Sequence, residues 1–143
     1  MRISTKGRYS LEALLYLALL PAGNYTSTRS IAEHTGISDG YLEQLFIPLR
    51  KAGIIQGIRG PQGGYIPGKP LEAIRVGDIL RAVEGPLELA ACVKPKFCPL
   101  EASCIPRHTW SELYEAINRY VDSITLRDLA EAYYALDKQE YTI

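Results

Sequence analysis

The sequence predicts a mostly helical chain with one small β-hairpin, on three observations. Residues 28–53 hold two amphipathic stretches separated by Gly36, the spacing of a helix-turn-helix. Residues 54–66 follow with two short apolar runs around Arg59-Gly60-Pro61-Gln62-Gly63-Gly64. That reads as a hairpin, because Pro61 presets its φ and the glycines accept positive φ. From Trp110 to Ile124 apolar residues recur every three or four positions, the mark of a long amphipathic helix of about four turns. Together these give a winged helix-turn-helix with a long C-terminal helix that wants a partner.

The elements follow in order. Ser10 to Leu20 carries Leu11, Leu14, Leu15, Leu17, Ala18 and Leu19, apolar almost all round, which suits a helix buried by its neighbours. Pro21 and Gly23 end it. A second helix starts after Thr28 or Ser30, with Glu33 as capping-box partner of Ser30, and ends at Gly36. Ser38 is the N-cap of a third, whose stripe is Tyr41, Leu42, Leu45, Phe46 and Leu49 and whose stop is Gly53. Pro48 lacks the N–H that would bond the Gln44 carbonyl, which predicts a kink or a split. Strands are expected at Ile54–Ile58 and Tyr65–Ile66, then a helix over Ile74–Val83 closed by Glu84-Gly85-Pro86. The next segment contains Pro95, Pro99 and Pro106 and reads as a loop, with Pro106 opening the long helix. Thr125 and Asp128 start a last helix carrying Leu126, Leu129, Ala130, Tyr133 and Tyr134, and the tail from Gln139 is polar and loose. The expected organisation is 1–70 for the winged domain, 71–91 for a connecting helix and linker, 92–108 for a cysteine loop, and 109–143 for the two C-terminal helices.

A chain of 143 residues, 47% hydrophobic, fits one compact domain or a small domain with an added oligomerisation element. No apolar run reaches the roughly 18 residues needed to cross a bilayer, and none has a signal-peptide pattern. The expectation is a soluble cytoplasmic protein with no membrane partner. The zero net charge hides a split: residues 1–70 carry eight Lys and Arg against four Asp and Glu, and residues 71–143 carry eight against twelve. The basic half is the one suited to phosphates. No Ser-His-Asp order, HExxH, P-loop or dinucleotide fingerprint is present, so no enzyme is expected.

In a helix-turn-helix, the N-terminal part of the second helix reaches base edges in the major groove. Ser38, Asp39, Gly40, Glu43 and Gln44 occupy that part here, with Tyr41 beside them. Glutamine can bond adenine N6 and N7 together and glutamate can accept from cytosine N4, so Glu43 and Gln44 are the candidate readers. Arg59, Gln62 and Gly63 suit backbone or minor-groove contact, while Arg2, Lys6, Arg8, Arg29 and Arg50 suit phosphates. Each of these is also an ordinary solvated side chain, and His34 reads as a surface or capping residue.

The three cysteines, Cys92, Cys98 and Cys104, stand in a C-x5-C-x5-C ladder. An odd number of thiols without an export signal argues against a disulfide framework. On a proline-rich loop all three can face one ion. Thiolates hold iron-sulfur clusters, sometimes with histidine, and His108 lies four residues after Cys104. Structural zinc more often uses short C-x2-4-C pairs, so zinc ranks second, and three unliganded cysteines remain the plain alternative.

The opening MRISTKGRYSLEALLYLAL, the segment SDGYLEQLFIPLRKAGII, RGPQGGY, VGDILRAVEGP and the cysteine ladder resemble the IscR-like iron-sulfur cluster transcriptional regulators. That winged helix-turn-helix family also includes CymR and NsrR. The resemblance covers nearly the whole chain; the CymR branch shares YLEQL but lacks the ladder. It implies a homodimer joined through the long helix, double-stranded operator DNA as partner, one 2Fe-2S cluster per subunit on Cys92, Cys98 and Cys104, and the cluster-assembly machinery as its donor. It also implies repression, and at times activation, of cluster-assembly genes, with Glu43 and Gln44 in the recognition helix and Arg59 in the wing. The family's histidine ligand falls three residues after the last cysteine, where this chain has Arg107. A guanidinium stays protonated and ligates poorly, which leaves His108, Glu101 or a partner-subunit residue as fourth ligand. Gly40 replaces the family's serine, and Arg8 stands where nitric-oxide-sensing relatives carry an acidic ligand, which disfavours that branch. The rivals are a zinc-binding or thiol-redox repressor of the same fold, as in the CymR branch, and a protein-binding module that uses the fold as scaffold.

Overall fold

The computed structural model describes residues 2–93 and 103–140. Its elements are α1 (Thr5–Leu19), α2 (Thr28–Thr35), α3 (Asp39–Lys51), β1 (Ile55–Ile58), β2 (Gly64–Pro67), α4 (Val76–Glu84), α5 (Ile105–Ser123) and α6 (Leu126–Glu140), with 3₁₀ turns at Leu71–Ala73 and Ala91–Val93. This is the mostly helical, winged architecture predicted.

Local chemistry sets most boundaries. Ser4 caps α1, its hydroxyl accepting from the Lys6 N–H, so α1 starts five residues before the apolar run that betrayed it. Ser27, with extended backbone, caps α2 by accepting from the Ser30 N–H at 3.1 Å; the expected Ser30–Glu33 capping box is replaced by this earlier cap. Ser38 caps α3 as predicted. Pro48 does not split α3: it sits in the last turn, and the Gln44 end of its missing bond is on the exposed side, where water can substitute. Gly36 and Gly53 take positive φ just beyond α2 and α3, which stops both helices. Thr125 and Asp128 form the reciprocal capping box expected of α6, and α6 runs on to Glu140, two residues into the tail expected to be loose, the rest of which lies outside the described residues.

The core lies where α1, α2 and α3 meet. Ala13, Leu14 and Leu17 of α1 pack against Ile31 and against Leu42, Leu45, Phe46 and Leu49 of α3, with Ile54 and Ile55 beneath the wing. Ile74, Ile79 and Leu126 belong to the same cluster, so α4 and the start of α6 close over the helix-turn-helix from behind. A second cluster of Val76, Leu80 and Leu87, with Ile3, Val121 and Ile124 against it, joins α4 to α5.

β1 and β2 pair antiparallel, Ile55 opposite Pro67 and Ile58 opposite Gly64. Thr26 extends this ribbon: its N–H donates to the Tyr65 carbonyl at 3.0 Å and its carbonyl accepts from the Tyr65 N–H at 2.8 Å. A Cβ on Gly64 would stand 2.4 Å from the Thr26 backbone, and one on Gly63 would stand 2.2 Å from the Ile58 carbonyl oxygen. Both glycines are therefore required by close backbone approach. Phe46 and Tyr65 meet edge to face with centroids 4.7 Å apart, which ties the wing to α3.

Candidate functional site

The helix-turn-helix offers one polar face. Ser38, Gly40, Glu43, Gln44 and Arg50 are all exposed, because the buried stripe of α3 uses Leu42, Leu45, Phe46 and Leu49. Tyr41 is half-buried and meets Tyr9 edge-on at 5.9 Å, so its ring steadies α3 against α1. Arg59 and Gln62 are exposed at the tip of the wing, and Gly63 is half-buried in its turn. Arg2 and Lys6 are exposed at the start of α1. Arg29 is exposed and lies 3.6 Å from Glu33, one turn along α2, a solvated pair of little energetic weight. His34 is a surface residue whose Nδ1 lies 2.8 Å from the Ser30 carbonyl and whose ring stacks on Tyr16.

Two of the three cysteines fall among the described residues. Cys92 lies in the 3₁₀ turn Ala91–Val93, which packs against α5, and Cys104 is the N-cap of α5. Both are half-buried free thiols. His108 is exposed in the first turn of α5, one turn beyond Cys104, as the sequence suggested, while Arg107 beside it is half-buried. Cys98 and Glu101 lie outside the described residues. Among the described residues no three His, Cys, Asp or Glu side chains converge on one point. The donor types suit a thiolate-bound group: two sulfurs flank the segment and the nearest nitrogen donor is one turn into the helix.

The sequence did not reveal how α5, which begins after Cys104, is tied to the N-terminal helices. Arg81 of α4 grips α5 with a bidentate pair to Asp122 at 2.8 and 2.9 Å and a hydrogen bond to Asn118 at 2.7 Å. Asp122, through that hydrogen bond, holds Arg81 still more firmly protonated. One turn later Glu84 grips α1: its Oε1 accepts from the Ser4 N–H at 2.9 Å, the Gly7 N–H at 3.0 Å and the Ser4 hydroxyl. Burial pushes the Glu84 carboxyl up, but the bonds from Ser4 and Gly7 and the Lys6 charge outweigh it, so it titrates below its ordinary range. Gly7 leaves the space this contact needs, since a Cβ there would meet Glu84 Oε1 at 2.9 Å. At the far end of α4, the Val76 N–H donates to the Ile124 carbonyl and the Leu126 N–H to the Ile74 carbonyl, which locks α4 to the α5–α6 corner. Partners 37 to 80 residues apart leave no local sequence signal.

α5 has no fully buried residue. Ile105 is 78% exposed and Tyr120 67%, with Trp110 and Leu113 exposed between them. No helix among the described residues is long and apolar enough to cross a membrane.

The chain matches the profile of the Rrf2 family, described as "Iron-dependent Transcriptional regulator", over residues 3–132. It is 41% identical to the HTH-type transcriptional regulator CymR of Bacillus subtilis over 130 residues, 91% of this chain and 90% of that one. It is 39% identical to the HTH-type transcriptional regulator IscR of Yersinia enterocolitica over 129 residues, 90% of this chain and 79% of that one. The solved structure of CymR (YrzC), the global cysteine regulator of B. subtilis, is similar at a TM-score of 0.78 and 40% identity, covering 92% of this chain and 98% of that one. T. potens IscR is similar at a TM-score of 0.74 and 37% identity, covering 100% of this chain and 92% of that one. These relatives are regulators of transcription, not enzymes. Winged fold, polar face of α3 and relatives agree: the chain belongs to the Rrf2 family and is a DNA-binding transcriptional regulator.

Proposed function

We propose that this regulator is a homodimer that senses iron-sulfur cluster status through a 2Fe-2S cluster on Cys92, Cys98 and Cys104, with His108 as fourth ligand, and controls cluster-assembly genes. The observation that carries the reading is the C-x5-C-x5-C ladder ending at the N-cap of α5. His108 is favoured over Arg107 because imidazole ligates and guanidinium does not. When bound, such a group makes the thiolates an iron- and redox-dependent link. The cluster-assembly machinery is the donor that fits.

The remaining work belongs to the chain itself. Trp110, Leu113, Ile117 and Tyr120 recur along α5 at coiled-coil spacing. A second copy is the occupant that buries this stripe isologously. The dimer then presents two α3 helices to successive major grooves of operator DNA, with Glu43 and Gln44 at base edges, Arg59, Gln62 and Gly63 on the backbone or minor groove, and Arg2, Lys6, Arg29 and Arg50 at phosphates. α5 is joined to α4 by Asp122–Arg81, and α4 to the start of α1 by Glu84. A change at the thiol segment thereby acts on the position of Arg2 and Lys6. Such coupling requires the two dimer arrangements to differ in free energy with the thiols' state.

The test is operator affinity of wild type against Cys92→Ala, Cys98→Ala and Cys104→Ala proteins. A changed affinity on at least one operator is expected; wild-type affinity on every operator would remove the coupling. Likeness to CymR, at 41% identity, favours one second reading, a zinc-binding or thiol-redox repressor with the same DNA-binding half. Metal analysis separates the two, since zinc leaves a protein colourless.

A further inference from the structure

We infer that Ile47 reads a thymine methyl group in the major groove, a reading that rests on α3 being the groove helix. Ile47 is 69% exposed, whereas Leu42, Leu45, Phe46 and Leu49 on the same helix are 0 to 3% exposed. It is therefore not part of the core stripe. Nor is it there to favour the helix, because a β-branched side chain lowers helix propensity.

Its position explains it. Gly40, Glu43, Gln44 and Ile47 stand at i, i+3, i+4 and i+7 and are all exposed, so they form one row along α3. Groove helices read base edges from such a row. A Cβ on Gly40 would meet nothing within 4 Å, so the front of the row is open and the helix can approach closely. Ile47 is the only apolar side chain in the row; Arg50 and Lys51 lie just beyond it, and the three share an open groove with Glu43, Phe46 and Tyr65 toward the wing. Two cations beside a lone isoleucine fit a phosphate-flanked groove better than a protein interface, whose centre is depleted of charge. The apolar feature of the major groove is the thymine C5-methyl, which apolar side chains contact to specify that base. The row thus offers an amide, a carboxylate and an isoleucine, three different chemistries for three base edges.

The experiment uses duplexes selected by the full-length protein from a random pool. Each thymine of a selected duplex is replaced in turn by deoxyuridine, which removes only the methyl group, and affinity is measured by fluorescence anisotropy for wild type, Ile47→Ala and Gln44→Ala. Wild type is expected to lose about three- to fivefold at one thymine and its symmetry mate, the size of one methyl's burial. Ile47→Ala, which removes the contact in both half-sites and is therefore weaker by about the square of that factor, is expected to lose nothing more there while keeping wild-type sensitivity elsewhere. Because Ile47 touches solvent, the thermal melt of Ile47→Ala should match wild type. The inference is overturned if Ile47→Ala stays as sensitive as wild type at every thymine, or if wild type is indifferent to all of them. If Gln44→Ala still relaxes the selected preference, only Ile47's role falls. If it does not, the placement of α3 in the groove falls with it.

Discussion

Glu84 accepts three hydrogen bonds from Ser4 and Gly7, an arrangement that makes one carboxylate the anchor of the start of α1, beside which lie Arg2 and Lys6, the proposed phosphate contacts. A negative charge there also suits the positive end of α1. Its folded pKa is depressed, so its contribution is complete above the unfolded carboxylate pKa and is lost as pH falls through the folded value. Glu84→Gln keeps an acceptor oxygen but loses the charge. It is expected to unfold about 1 kcal/mol more easily than wild type in urea at neutral pH. That gap should close in acid; an equal gap at both pH values would contradict the carboxylate's role. At the reading face, Gln44→Ala should cost about 1 to 3 kcal/mol on the true site and relax its base preference. Equal loss on random duplexes would show that Gln44 does not read bases.

At the scale of elements, α4 is the strut between α5 and α1, fastened by Arg81 at one face and Glu84 at the next turn. Gly77 permits the close crossing, since a Cβ there would stand 2.0 Å from Asp122 Oδ1. Arg81→Ala leaves Asp122 and Asn118 without their partner. It should destabilise by about 1 to 2 kcal/mol, discounted because the pair is partly solvated. It should also reduce the difference in operator affinity between wild type and the cysteine variants. If chemical denaturation and operator titration both match wild type, the strut has no part in the coupling. Much of this level was legible in the sequence. Serine and threonine caps, apolar periodicity and the glycine-rich turn announced α3, the wing, α5 and α6, because each is a local pattern. The start of α1 was hidden, since Thr5 to Tyr9 has no apolar period and only Ser4 signals the cap. Of the kink or split that Pro48 suggested, the split is absent, because the proline's cost depends on where in the helix it falls. The Arg81–Asp122 and Glu84–Ser4 contacts were invisible, as an ion pair across 41 residues or a carboxylate–serine hydrogen bond across 80 follows from how the helices pack.

For the whole molecule, the unburied apolar stripe of α5 predicts association. Leu113→Glu or Tyr120→Glu should shift a dimer to monomer in analytical ultracentrifugation and weaken operator binding, because two half-sites are no longer joined. A wild-type chain that sediments as a monomer at working concentration would contradict the dimer. Of the proposed thiol site, the three cysteines and their spacing were legible in the sequence, and the fold adds that Cys104 caps the same helix that carries Asp122 and the apolar stripe. In the proposed reading the thiols act on DNA binding through α5 and the α4 strut, so the nature of the group on the thiols decides it. The measurement that bears on it most directly is the anaerobic ultraviolet-visible spectrum, with iron and sulfide assay, of the purified protein and of His108→Ala. A red-brown wild type with about two iron per chain and an altered spectrum in His108→Ala are expected; a protein that stays colourless after anaerobic reconstitution would overturn the cluster reading.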